Sequence, residues 1–419
     1  MDKSMRILGI FIYTLTSLFL VFEMALQVSP SVMTRDLMYD FNIGAATLGI
    51  MASFYYYSYT LMQIPVGLLY DRFSARWLIT CAAFICTIGA FFFAFTHHVA
   101  WAAFSRFLMG IGSAFAFVGV LIVAARWFPP HLFAFLVGIA QFLGAMGALC
   151  GELPIAWMLD SIPWRVVLVI FGAVGSLLTV LCFMIVRDNP YDDRFIPKRH
   201  HLKKELKEII GSGQTWWLAL YAFCSWGPVV VFAALWGVPY LRVRFQVPNT
   251  YAAVAMALVW IGVGCMSPFL GWLSDRLGRR CLLLRVSSLI GLFSSLILFY
   301  VPWVTFNWSF ILLLGIGIAA AGQILTFALV KDNNRSTTTG TAIGLNNMAV
   351  VAGGALFQPL VGFLLHLLWK GTKDGYGVPI YSVADYHVGL TIVPVCFFIA
   401  FLVSFFFIKE TYCRPKFAN

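Results

Sequence analysis

Two ionisable side chains lie deep inside apolar runs of this 419-residue chain, Glu23 between Phe22 and Met24, and Arg106 in AFSRFLMGIG. An acidic or basic group near the middle of a bilayer costs about 2.5–3.5 kcal/mol on insertion scales, which makes it a functional candidate by default. Glu23 could carry a proton or meet a solute ammonium, and Gln27, one turn on, shares its helix face. The competing reading is structural, with Glu23 tying the first apolar run to the fourth. Arg106 stays charged at any accessible pH, so it must face a partner or a wet cavity rather than lipid. It can bind a solute carboxylate, modulate a proton site, or bond helix ends as a packing element.

Uncharged polar groups add to these two: Tyr56 and Gln63 in the second run, Gln141 in the fifth, Gln323 in the tenth, Asn346, Asn347 and Gln358 in the eleventh. Tyr55, Tyr56, Tyr57 and Tyr59 cannot all face one cavity, because each helical step turns about 100°. Trp226 precedes Gly227-Pro228. Proline there removes a backbone hydrogen bond and bends the helix, as a moving gate requires, while interfacial anchoring by tryptophan is the alternative. Glu152, in GELP, reads as a gate or capping group close to the interface.

A second constellation repeats. GLLYDRFSAR (Gly67 to Arg76) and GWLSDRLGRR (Gly271 to Arg280) superimpose on a 204-residue shift, matching Gly67 with Gly271, Asp71 with Asp275, Arg72 with Arg276 and Arg76 with Arg280. The carboxylates can accept charge-assisted hydrogen bonds from arginine or from a neighbouring helix N-terminus. The glycines permit close approach of membrane helices.

The elements that position these residues follow from composition. Hydrophobic residues make up 61% of the chain and charged ones 11%, against about 25% charged in soluble domains, so a soluble fold is excluded. Helical spans need about 20 apolar residues, and a β-barrel would need alternating segments of about 10. Twelve spans fit: 7–34, 43–70, 77–96, 101–127, 132–157, 165–186, 215–241, 250–273, 281–301, 306–330, 339–368 and 386–408. The first reads as an uncleaved span rather than a signal peptide. The expected fold is an all-α membrane protein, two pseudo-symmetric six-helix bundles at 1–186 and 214–419, joined by a basic linker at 187–213 whose second half suits a short amphipathic helix. Such repeats place a solute site at their interface near the midplane.

Lys/Arg placement puts both ends in the cytoplasm of an inner membrane and accounts for the net charge of +11, which therefore gives no argument for nucleic-acid binding. Nine scattered cysteines and the adjacent pairs His97-His98 and His200-His201 support neither disulfides nor a metal site. GxxxxGK[ST], HExxH and GxSxG are absent, so neither a primary pump nor a hydrolase is indicated, and no cofactor is expected.

The duplicated Gly-x-x-x-Asp-Arg-x-x-x-Arg loops resemble the signature of the major facilitator superfamily. Arg106, Gly110 and Gly112 are similar to its fourth-helix Arg-Gly-Gly motif, and Gly138, Gly144, Gly147 and Gly151 to its glycine-rich fifth helix. The proline that many drug antiporters carry in that helix is missing, which weakens an efflux reading. EMALQVSPSVM with YYYSYTLMQIPVG is similar to phagosomal-type nutrient and amino-acid transporters of intracellular Gram-negative bacteria. The resemblance implies that the Asp-Arg loops latch the halves in an outward-open state. It implies a monomeric secondary transporter of a small polar solute, an amino acid or similar zwitterion first, moved with protons. An organic anion or siderophore, exported or imported, is the alternative solute. A receptor that kept the fold is the reading outside transport.

Overall fold

The computed structural model describes residues 3–129, 132–188, 208–335 and 339–414. Long apolar helices dominate it: α1 Lys3–Val28, α2 Pro30–Asp40, α3 Ala45–Arg72, α4 Ala75–Phe95, α5 Val99–Trp127, α6 Phe133–Leu159 and α7 Trp164–Ile185 form the first half. The second half holds α8 Gly213–Pro228, a π-helical segment Val229–Trp236, α9 Gly237–Phe245, α10 Asn249–Leu277, α11 Arg280–Tyr300, α12 Phe306–Ala321, α13 Ile324–Asn333, α14 Thr339–Leu368, α15 Val383–Leu390 and α16 Ile392–Phe406. Most of the basic linker (Arg194, Lys198, Arg199, Lys203, Lys204, Lys207) lies outside the described residues, as does most of its expected amphipathic helix.

Among the described residues, eleven helices are long and apolar enough to cross a membrane. The other expected span, α3, is a 28-residue helix. Its five tyrosines and Gln63 lower its hydropathy, and it is packed between α5 and α14, so less of it needs to meet lipid.

Several predicted spans are interrupted, each for a local reason. Span one breaks at Ser29 because Pro30 starts α2, and proline has no N–H for the carbonyl four residues back. Span seven widens into the π-helical segment directly after Pro228, the type of irregularity that collects at kinks and functional positions. Spans ten and twelve pause at Gly322-Gln323 and at Thr391.

In the first half α1 lies on α5 and α6, α3 on α5, and α4 on α5 and α7. In the second, α10 and α11 lie on α12, and α14 and α16 on α8. The halves meet through α3 against α14 and α6 against α10. Glycine makes the tightest crossing possible, since a Cβ on Gly110 would stand 2.1 Å from the Tyr55 carbonyl oxygen. Both chain ends lie on one face, hereafter the terminal face, where Gln214 bonds the Phe407 carbonyl at 2.8 Å and Asp188 accepts the Ala75 N–H at 2.9 Å. On the opposite, far face Arg165 donates to the carbonyls of Ala94 and Thr96 at 2.8 and 2.7 Å.

Candidate functional site

A cavity of about 790 Å³ opens between the halves toward the terminal face. Its inner end is set by Gln63 of α3 and Asn347 of α14, whose amides hydrogen-bond to each other across the two halves. Its walls are largely apolar, with Phe117, Val118, Leu121, Val137, Leu325 and Ala328 among them. Asp275, Arg280, Lys331 and Asp332 line the terminal-face end. Arg280 is bound to Asp332 and lies 3.5 Å from Asp275. Lys331 is exposed and belongs to no ion pair among the described residues.

Glu23 and Arg106 lie behind this cavity, each 1% exposed, inside the first half. The Tyr55 hydroxyl donates to Glu23 Oε2 at 2.7 Å, and the Arg106 guanidinium sits 4.7 Å from the centroid of the same tyrosine ring. No ion pair among the described residues includes Glu23 or Arg106. Arg106 instead donates to the Leu26 carbonyl at 2.7 Å and the Gln27 carbonyl at 3.0 Å. The reason is in the sequence: Pro30 cannot supply the N–H that Leu26 would receive in a continuous helix, and the guanidinium fills that place. A buried carbonyl without a donor would cost about 1–3 kcal/mol. In this conformation the Arg106 guanidinium is therefore engaged with the α1 backbone.

The remaining predicted residues divide. Gln27 donates to the Tyr56 hydroxyl at 3.1 Å, and the Tyr56 ring fills the space beside Gly354 of the other half. Asn346 donates to Thr326 Oγ1 at 2.9 Å and, like Gln323, keeps a buried amide oxygen without a partner among the described residues. Both sit behind the cavity wall. Gln141 and Trp226 are half-buried on α6 and α8. Of these candidates the structure brings Gln63 and Asn347 together at the cavity.

The two Asp-Arg loops flank the terminal-face opening, each bonded within its own half. Arg76 donates to the Phe183 carbonyl at 2.9 Å, Arg276 lies over Trp272, and Arg72 is exposed. Asp71 lies in the last turn of α3, and its side chain is outside the described residues. One expectation is overturned in this conformation. Gly67 and Gly271 were to bring backbones together, but both line the cavity and a Cβ on either would meet nothing within 4 Å, because the halves stand apart at this face.

The far face is shut. Arg35 of α2 donates to Asp374 Oδ2 through Nη2 at 2.7 Å and Nε at 3.0 Å, and its guanidinium lies 5.2 Å from the Tyr376 ring centroid. The Tyr381 hydroxyl accepts the first N–H of α3 at 2.9 Å, and Asn249 donates to the Val32 carbonyl at 3.0 Å. Sequence reading missed Arg35 and Asp374, since interfacial charges 339 residues apart give no local signal. The hydrogen bond from Arg35 holds the Asp374 carboxyl below the usual carboxylate range, helped by the backbone N–H groups of Val378 and Tyr376. A depressed carboxyl contributes above its unperturbed value and loses its effect as pH falls through the lowered one. This contact therefore stays charged at all pH values above about 4. Asp374→Asn is expected to raise labelling of a buried far-face cysteine reporter about two- to fivefold, the span of exposed ion pairs, and unchanged labelling would remove this pair from the closure.

Sequence and fold comparisons agree with this geometry. The family model for the Major Facilitator Superfamily matches residues 9–358. The chain belongs to that superfamily. Its family and fold are those of transporters. An uncharacterized transporter, YybO, of Bacillus subtilis is 25% identical over 59% of this chain and 61% of its own length. The probable galactarate/D-glucarate transporter GarP of Escherichia coli is 29% identical over 36% of each chain. The matched stretches thus span less than two thirds of these relatives. The probable small intestine urate exporter of Homo sapiens is 24% identical over 76% of this chain and 69% of its own. A bacterial homologue of the human lysosomal transporter Spinster, solved in an inward-facing and occupied conformation, superimposes with a TM-score of 0.76. It covers 98% of this chain and 99% of its own at 17% identity, a likeness of fold.

Proposed function

We propose that the chain is a secondary transporter that moves a small organic anion by alternating access. The half-units are residues 1–186 and 214–419, the linker is 187–213, and a monomer suffices. The observation that carries the reading is the cavity between the halves, open at the terminal face and shut at the far face by Arg35–Asp374. With both termini cytoplasmic, as the basic loops require, this is an inward-open state at an inner membrane. Protons are the coupling ion on this reading, with Glu23 as the acid.

An anion is placed ahead of a zwitterion for two reasons. The cavity presents Lys331 with no ion-pair partner among the described residues, whereas the Arg106 and Glu23 groups that would hold a zwitterion are bonded within the first half. Relatives named for galactarate, glucarate and urate point the same way. The finer resemblance to phagosomal-type amino-acid transporters predicts the opposite preference. Counterflow into liposomes loaded with D-glucarate, urate or an amino-acid mixture separates the two: exchange of an acid but of no amino acid supports the anion, and the reverse restores the zwitterion. In the same assay Lys331→Gln is expected to weaken uptake from the terminal side by about tenfold at low salt, the low end of what a focused field delivers. Raising ionic strength should shrink the difference. Equal affinities at low salt would exclude Lys331 from solute capture.

A further inference from the structure

Glu152 is a second buried acid, separate from both Glu23 and the cavity. Its side chain is fully buried on α6. The Ser31 hydroxyl, just past the α1–α2 break, donates to Oε1 at 3.4 Å, and Oε2 has no partner among the described residues. From the other half the Trp260 indole faces it, with an N–H that also lacks a well-formed bond. Helix α6 is packed against α1, α2, α5, α7 and α10. Among the described residues none of these directs a charge at Glu152: the groups that act on it are Trp260 and Ser31. Glu23 is turned to Tyr55, Arg106 to the α1 carbonyls, Arg35 to Asp374, and Arg165 lies 3.3 Å from Asp40.

A carboxylate buried with no cation and an unfilled acceptor is expensive, several kcal/mol even after relaxation. The site is sealed by a helix from each half, α6 and α10, so separating the halves at the far face would admit water to it. We infer that Glu152 is a proton-binding site served from the far face, taking up one proton when that face closes and returning it to the same side when it opens. It is absent from the lining of the terminal-face cavity, so its proton does not cross. Glu152 thus reports far-side pH to the conformational equilibrium without carrying coupled charge, the role proposed above for Glu23.

The magnitude follows from the ordinary acid. With an unperturbed value of about 4.3 in the open state, loading the proton at pH 7 disfavours closure by up to about 500-fold, and by tenfold less for each pH unit below. The proposal rests on the alternation proposed above, but its test needs no solute. Spin labels replacing His97 and Trp303, exposed on the far face of opposite halves, would report the distance between halves in nanodiscs from pH 8 to pH 5. The wild type is expected to shift toward the short distance as pH falls. Glu152→Gln, a neutral mimic, should hold the short distance throughout, and Trp260→Phe, which removes a donor that favours the closed form, should move the midpoint to lower pH. A Glu152→Gln protein that keeps the wild-type pH response would overturn the proposal. So would a long distance in that variant at every pH. A wild type holding the short distance from pH 8 to pH 5 would overturn it too, whereas the absence of any solute counterflow would reject the alternation itself.

Discussion

Replacing Glu23 with glutamine is expected to abolish uphill solute accumulation driven by an imposed pH gradient, while solute exchange without a gradient survives. Glutamine keeps the volume and an oxygen for the Tyr55 hydroxyl, which now bonds Glu23 Oε2 at 2.7 Å, so the first half should still fold. It loses the ability to gain and release a proton. The acid lies beside Tyr55 on α3, the helix that also carries Gln63 to the cavity end and packs against α14 of the other half. Protonation there can therefore change the helix that forms the largest part of the contact between the halves. Proteoliposomes with an acid exterior test it, comparing the peak internal concentration with the exchange rate. Normal accumulation by the glutamine variant would assign the proton to another group or the driving force to another ion. Because Glu152→Gln is expected to hold the far face closed, it should lower accumulation and gradient-free exchange together, whereas Glu23→Gln spares exchange, which separates the two acids.

The fold was legible because its signals are collective. A 204-residue repeat, runs of about 20 apolar residues and basic loops on alternate connections all lead to paired helical bundles. Single residues were legible where they violate the solvent they sit in, as Glu23 and Arg106 do. Their partners were less so. Pro30 could be read as a helix breaker, but that the Leu26 carbonyl it frees would be met by Arg106, 80 positions away, depends on how α5 crosses α1. The burial of Glu152 was not legible because it depends on Trp260 arriving from the other half. The Arg35–Asp374 contact depends on a connection between α14 and α15 folding back over α2, and on which conformation the protein occupies.

Conformation also decides what glycine means at Gly110 and at the equivalent Gly67 and Gly271, and this gives the second large effect. Gly110→Val should prevent stable folding: a Cβ there would stand 2.1 Å from the Tyr55 carbonyl oxygen and 2.2 Å from Ser58 Oγ. Overpacking costs about 1–3 kcal/mol even where side chains can yield, and here the obstacle includes backbone. Gly67→Leu and Gly271→Leu should behave differently, since each residue faces open cavity with nothing within 4 Å of a Cβ. Both are expected to fold with the thermal stability of the wild type, yet lose nearly all transport. On the alternating-access reading the terminal face must close for the far face to open, and these equivalent positions on α3 and α10 then become the close approach that their sequence pattern suggests. A leucine on either would hold the halves apart and trap the inward-open state, so labelling of far-face reporters should fall as transport falls. Melting curves by size-exclusion fluorescence, paired with counterflow, distinguish the outcomes. Full transport by Gly67→Leu would mean that this face never closes tightly on the repeated loops, and the duplicated motif would then be left with topology alone as its reason.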